Sequence, residues 1–218
     1  MTEEWPRFFP FEPENAHKMA AYMKNHFPFL GVSAPERKKL EAPWLKKSKQ
    51  WEWPKLCSAI QFYFHQPERE YQYFAIDLAQ GNYQRLTIEQ LHELLPLVGE
   101  KTWWDSIDAW RKVYSDWCYA HPANLTEVFG WFYGQKDFWL RRVGINLQLK
   151  FKEQTDTDLL QKALDADRTT PEFFIQKAIG WSLREYSKTN PEWVQAFCAS
   201  QPPLSPLALR EGRKYLPK

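Results

Sequence analysis

The chain has 218 residues, a formal net charge of +2, 44% hydrophobic residues and 17% aromatic residues, with 12 Trp, 15 Phe and 10 Tyr. That content supports a buried core and excludes wholesale disorder, and the lack of a long uncharged apolar run excludes a transmembrane helix. Three scattered cysteines (Cys57, Cys118, Cys198) without CxxC spacing exclude a disulfide framework or a zinc finger and suit a reducing cytosol.

The acidic start, Met1-Thr2-Glu3-Glu4, lacks the basic-then-apolar pattern of a secretory leader. Charge is uneven along the chain: +3 over residues 1–50, −4 over 51–100, +2 over 101–150 and +1 over 151–218. A globally basic nucleic-acid binder is not indicated, but a locally basic face stays open. Val and Ile together number 13, too few for a large sheet, and Gly only 8, with no Asn-Gly or Asp-Gly hairpin turn. The pattern predicts an all-α chain of about eleven or twelve helices in a single domain spanning residues 1–218.

In chain order, an aromatic-rich segment precedes Pro13. Residues 23–31 (Met-Lys-Asn-His-Phe-Pro-Phe-Leu-Gly) lead into Pro35-Glu36-Arg37-Lys38-Lys39, a basic helical stretch with Pro at its start. Such a charge run is usually a solvated face, and it could equally extend a basic groove. Soft connections are expected at Trp44 to Pro54, Asp165 to Thr170 and Gln201 to Pro206. Thr87-Ile88-Glu89-Gln90 is a capping box. Thr170-Pro171, Asn190-Pro191 and Ser205-Pro206 each join a capping residue to Pro at a first helical position.

Three predicted helices carry a second face apart from the core. Over Thr102 to Trp117, the residues Trp103, Ile107, Trp110, Tyr114 and Trp117 form the packing stripe, while Trp104, Asp108, Arg111 and Ser115 lie on a neighbouring face. Over Trp139 to Lys152, Leu140, Gly144, Leu147 and Phe151 form the stripe, with Arg142, Asn146 and Lys150 opposite. Over Pro171 to Lys188, Ile175, Ile179, Ser182 and Tyr186 are the apolar side. Lys177, Trp181, Arg184 and Lys188 share another.

Tyr73, Asp108, Arg142 and Lys177 are spaced 35, 34 and 35 residues apart, a period that fits one helical hairpin per repeat. Stacked hairpins would form a curved solenoid with equivalent positions along one surface. Cations interleaved with tryptophans suit a polyanion carrying flat rings. A lone carboxylate there would repel phosphate, so Asp108 needs a structural salt bridge or a chemical task. The plainer reading is a wet surface pair with Arg111 or Lys112. A Trp covered by Lys and Arg stems is the plainer reading of Trp181. No GxSxG, HExxH, Walker A or GxGxxG motif is present, and the five His show no metal-ligand spacing.

Four stretches then resemble the AlkD-like family of DNA alkylation-repair glycosylases. They are residues 22–31 with Pro35-Glu36-Arg37; Trp103-Trp104-Asp105-Ser106-Ile107-Asp108; Trp139-Leu140-Arg141-Arg142; and residues 173–186 (Phe-Phe-Ile-Gln-Lys-Ala-Ile-Gly-Trp-Ser-Leu-Arg-Glu-Tyr). The resemblance runs from about Pro13 to Leu216. It implies a right-handed superhelical solenoid of HEAT-like helical hairpin repeats with a concave DNA-binding groove. It implies a catalytic Asp108, active-site tryptophans Trp104 and Trp181, an arginine near the lesion at Arg142 that would hold a phosphate or position the DNA backbone, and a DNA-contacting Tyr22. Lys177, Arg184, Lys188, Arg37 and Lys38 are the further candidate DNA contacts. The segment Val32-Ser33-Ala34-Pro35 departs from the family, whose members often carry a larger polar residue and Thr before the Pro.

The implied activity is excision of cationic N7- and N3-alkylated purines, such as 7-methylguanine and 3-methyladenine, from double-stranded DNA, by a monomer without metal or cofactor. The implied location is the cytoplasm, at the nucleoid. Two other classes compete: a non-catalytic HEAT-like repeat protein binding branched or distorted DNA, and a protein-binding helical scaffold.

Overall fold

A computed structural model describes residues 5–216. Among them are thirteen α-helices and three short 3-10 turns, and no strand. The chain divides into two compact units between Leu97 and Val98.

The first unit holds α1 (Pro13–Tyr22), α2 (Ala34–Ser48), α3 (Trp53–Phe64), α4 (Arg69–Asn82), α5 (Ile88–Glu93) and the start of α6 (Leu95–Val98). The capping box at Thr87 forms as expected, with both reciprocal bonds in place. Ser33 caps α2, accepting from the Glu36 N–H at 3.4 Å. α2 then continues through Pro43 to Ser48, so Trp44 to Ser48 is helix and not a soft connection. The cost is one backbone donor lost at Pro43.

α3 packs on α4, and α4 on α2. The loop before α2 is held by Glu70 of α4. Its buried carboxylate accepts from the backbone N–H groups of Leu30 (3.0 Å), Gly31 (2.8 Å) and Val32 (3.2 Å). Gly31 sits at φ +92°, and a Cβ there would lie 2.3 Å from the Glu12 carbonyl oxygen. Only glycine fits that conformation and that gap.

The aromatic segment before Pro13, which the family resemblance does not cover, packs into this unit. Trp5 and Phe9 are buried. Phe8 meets Phe74 edge-on at 5.1 Å, and the Tyr63 hydroxyl donates to the Pro6 carbonyl at 2.9 Å.

The second unit holds α7 (Trp104–Ala120), α8 (Leu125–Phe132), α9 (Phe138–Ile145), α10 (Thr157–Ala166), α11 (Phe173–Tyr186), α12 (Pro191–Ala199) and α13 (Pro206–Gly212). Asn190 and Ser205 cap α12 and α13, accepting from Trp193 and Ala208 at 3.0 and 3.1 Å. α11 starts later than the Thr170-Pro171 pair suggests. The Thr170 hydroxyl donates to Asp167 at 2.8 Å, and Glu172 caps the helix through the Phe174 N–H at 3.2 Å. α9 ends at Ile145, short of the Lys152 read from periodicity. The Ser182 hydroxyl donates to the Ile145 carbonyl at 2.8 Å, and the Ser115 hydroxyl to that of Leu147. These cross-helix bonds occupy carbonyls that a longer helix would have used internally.

α7 packs on α9, and α9 on α11. The 34- and 35-residue steps from Asp108 to Arg142 to Lys177 thus correspond to three helices in series. The expected stripe of α7 is core: Ile107, Trp110, Tyr114 and Trp117 are buried. Trp103 is the exception. It stands before the helix and packs against Trp139 at 5.8 Å and Phe174 at 5.4 Å. α11 and α13 approach closely at Gly180, where a Cβ would meet Glu211 Cβ at 2.5 Å.

Candidate active site

The series α7, α9, α11 brings five of the sequence candidates to one cleft of about 240 Å³. Trp104, Asp108, Arg142, Lys177 and Trp181 line it together with Phe173 and Phe174. Asp108 stands one turn into α7, beyond Trp104 at the first helical position. It is not the isolated carboxylate that the sequence suggests. Arg142 grips it with two parallel bonds, Nε to Oδ1 at 3.0 Å and Nη2 to Oδ2 at 2.9 Å. Its partner is therefore Arg142 and neither Arg111 nor Lys112. Lys112 instead pairs with Asp116.

Exposure separates the two members of this pair. The Arg142 side chain is 2% exposed and that of Asp108 24%. Arg142 also donates through Nη1 to the Phe174 carbonyl at 2.6 Å and lies 5.0 Å from the Trp181 ring. A buried guanidinium left unpaired would cost several kcal/mol. Here three N–H groups and one face are occupied. Both oxygens of Asp108 are used on the Arg142 side, and the bidentate fork fixes the carboxylate plane. The same carboxylate opens on the cleft between the two tryptophans.

Lys177 adds a second cation, its Nζ 5.5 Å from the Trp181 ring and 5.9 Å from that of Phe173. Arg184 is on a later turn of α11 and Lys188 lies just beyond its end, and neither lines the cleft. Arg184 pairs with Glu211 at 3.2 Å, and Lys188 pairs with Glu185 at 2.5 Å and lies 5.2 Å from the Tyr215 ring. Ser115 and Asn146, read as members of the polar faces, are buried and hydrogen-bonded within the helix stack.

The other three candidates belong to the first unit. Tyr22 is 71% exposed at the end of α1 and lines a small cleft with Met19, Phe29 and Tyr73. Lys38 is exposed on α2. Arg37 bonds Glu41 at 2.6 Å and Asp77 at 2.8 Å and lies 5.0 Å from the Tyr73 ring.

Phe173 and Phe174 carry no role in the sequence reading. The signal for Phe174 was present: Trp103, Trp139 and Phe174 repeat at steps of 36 and 35 residues. Their rings form a mutual cluster at the starts of α7, α9 and α11, with Trp139 and Phe174 4.8 Å apart. Among the described residues no group of His, Cys, Asp and Glu could hold a metal ion. No described helix is long and apolar enough to cross a membrane. The three thiols are buried, and burial pushes that of Cys118 up to about 12, which makes it a poor nucleophile.

The chain is similar to a solved structure described as a predicted DNA alkylation repair enzyme from Enterococcus faecalis. The identity is 54%, with 96% of this chain and 98% of that one covered and a TM-score of 0.94. Two more distant structures share the fold. AlkD2 from Streptococcus mutans is 13% identical over 93% of this chain and all of its own, with a TM-score of 0.69. The smu.31 protein of Streptococcus mutans UA159 is 12% identical over 83% and 98%, with a TM-score of 0.64. No curated protein matches. The sequence model of the DNA alkylation repair enzyme family matches residues 11–216, and this chain belongs to that family.

Proposed function

We propose that this protein is a monofunctional DNA glycosylase that hydrolyses the N-glycosidic bond of cationic N7- and N3-alkylated purines in duplex DNA. The observation that carries the reading is the Asp108 carboxylate, fixed by buried Arg142 yet opening on a cleft between Trp104 and Trp181. The family match covers residues 11–216 and so reaches into both compact units, which supports reading 1–218 as one functional domain; that it acts as a monomer in the cytoplasm is part of the same proposal.

A purine alkylated on a ring nitrogen already carries positive charge. When its bond to C1′ breaks, the electron pair moves onto the base and neutralises it. Departure therefore needs no strong general acid, and no His lines the cleft. Positive charge appears instead on the sugar. A carboxylate held at fixed orientation stabilises that oxocarbenium character without reorganising. It also accepts a hydrogen bond from the water that adds to C1′ and takes the proton this water loses as the C1′–O bond forms, passing it on to solvent. Trp104 and Trp181 offer ring faces to the cationic nucleotide. Arg142 acts through Asp108 as a positioning residue.

A second reading has one observation in its favour. The ion pair with Arg142 gives Asp108 a structural role, as a non-catalytic protein binding distorted DNA would need. The test is release of 7-methylguanine from methylated duplex DNA, with binding measured alongside. Asp108→Asn should retain most binding and lose roughly 100- to 1,000-fold in release rate. Release at the wild-type rate by the variant would remove Asp108 from the chemistry, and no release by the wild type would favour the second reading.

A further inference from the structure

Arg111 lies three residues after Asp108 on α7, about 4.5 Å further along the helix axis. Arg37, Arg141, Arg142, Arg168 and Arg184 each hold a carboxylate. Arg111 donates no hydrogen bond and makes no ion pair with any described residue, although it is half-buried. Burial pushes its guanidinium below the usual value and Arg142 adds to the depression, while Asp108 and Asp116 pull the other way. A poorly hydrated, unpaired cation is costly unless an anion joins it.

Arg111 lines a cleft of about 230 Å³ with Lys112, Ser115, Asp116, Tyr119 and Lys150. Lys112 and Asp116 neutralise each other. Lys150 is exposed and, like Arg111, makes no ion pair with a described residue. Three cations, Arg111, Lys112 and Lys150, therefore line this cleft against one carboxylate, Asp116, and its charge is net positive.

We propose that the cleft between Arg111 and Lys150 is a phosphate-binding subsite that takes one backbone phosphodiester of DNA, next to the nucleotide facing Asp108. The proposal rests on the glycosylase reading for the placement of that nucleotide. Arg111 stands one turn from Asp108 on α7, near enough for each charge to act on the other. The guanidinium fork suits two phosphate oxygens, and Lys150 supplies a point charge. In this unit Arg142 is committed to Asp108 and Phe174, Arg184 to Glu211 and Lys188 to Glu185. Donors without a carboxylate thus remain at Arg111 and Lys150, and at Lys177 in the neighbouring Asp108 cleft.

The experiment compares wild type with R111Q/K150Q on a duplex bearing a tetrahydrofuran abasic analogue, by fluorescence anisotropy at several salt concentrations. A parallel set of duplexes replaces single phosphates around the analogue with methylphosphonates. The double variant should bind about tenfold more weakly, as expected for one charge-assisted contact. Its log–log salt slope should be shallower by about 0.9. One methylphosphonate position should weaken wild type by a similar factor and leave the variant unaffected. Its melting midpoint should equal or exceed that of wild type, since neither side chain bonds within the fold and the half-buried Arg111 charge is costly there.

An unchanged slope and affinity, or equal sensitivity of wild type and variant to every methylphosphonate, would overturn the proposal. Should the variant fold poorly, the scan on wild type decides: a single sensitive position near the analogue supports the subsite, and none overturns it. Loss of phosphate contacts without any 7-methylguanine release by wild type would refute the glycosylase reading and leave the subsite standing.

Discussion

Arg37 and Arg142 do similar things in the two units. Each reaches from its own helix to a carboxylate on another, α2 to α4 and α9 to α7, and each lies 5.0 Å from an aromatic ring, Tyr73 or Trp181. The surroundings differ. Arg37 serves two carboxylates, one of which, Glu41, is wholly buried with its Oε2 atom unbonded. Arg142 serves one carboxylate, and that carboxylate remains partly exposed. The first cluster sets two carboxylates against one guanidinium, the buried Glu41 and the partly exposed Asp77. The second is balanced inside and presents its anion outward. Exposure alone does not separate the two, since Asp77 is more open than Asp108; what Asp108 has in addition is a guanidinium of its own and a cleft lined with two tryptophans.

The largest break of the comparison removes Arg142. Arg142→Ala takes away three donors from a buried position and leaves Asp108 without a partner. A loss of about 3–5 kcal/mol is expected for such a broken pair, lowering the midpoint by roughly 6–20 °C in a chain of this size. Differential scanning calorimetry checks it, and a shift of only a degree or two would mean that Asp108 and Arg142 are not coupled in the folded state.

The Glu41 cluster should show its imbalance as a pH effect. Burial raises the Glu41 carboxyl from 4.5 to about 8; Arg37 opposes this and Asp77 adds to it. The folded state then holds a proton that the unfolded chain releases. Its contribution to stability is complete below about pH 4.5 and is lost as pH rises through about 8. Glu41→Gln keeps the shape and removes the titration. The difference in midpoint, variant minus wild type, should grow in the variant's favour from pH 5 to pH 8. A difference that stays constant over that range would show that Glu41 is ionised in the fold.

The smallest effect is expected at Asp77, whose side chain is 35% exposed. Asp77→Asn should cost about 0.2–1 kcal/mol, as partly solvated pairs do. It should also move the Glu41 titration to lower pH by removing the neighbouring negative charge. Chemical denaturation at pH 6 and pH 8 measures both, and a titration window that moved upward would contradict the shared-cation picture.

Much of the helical order was legible from residues next to each other. Thr87 with Gln90, Asn190 with Pro191 and Ser205 with Pro206 mark starts that form as read, because capping is settled within one turn. The steps of 34 and 35 residues placed Asp108, Arg142 and Lys177 on helices that pack in series, and Trp181 was set apart from the core by the cations beside it. Where local rules met a competing bond, the reading failed. Thr170 bonds Asp167 and does not cap α11. The carbonyls that would have lengthened α9 are taken by Ser115 and Ser182. The segment before Pro13 was legible only as aromatic. Its place against Tyr63 and Phe74 depends on partners more than 50 residues away.

The sequence by itself determined an all-helical chain, its period and the set of polar residues from which a site could be drawn. Caps, apolar periodicity and repeat spacing are short-range properties, so they survive in one dimension. The tertiary structure alone decided which of those charges are spent. It paired Asp108 with Arg142 and Arg184 with Glu211, and it surrounded Arg37 with two carboxylates. Arg111 was left half-buried without an ion pair. The physical reason is that ion pairing falls off steeply with distance and depends on burial. Both quantities exist only once helices some 35 residues apart in the chain have packed.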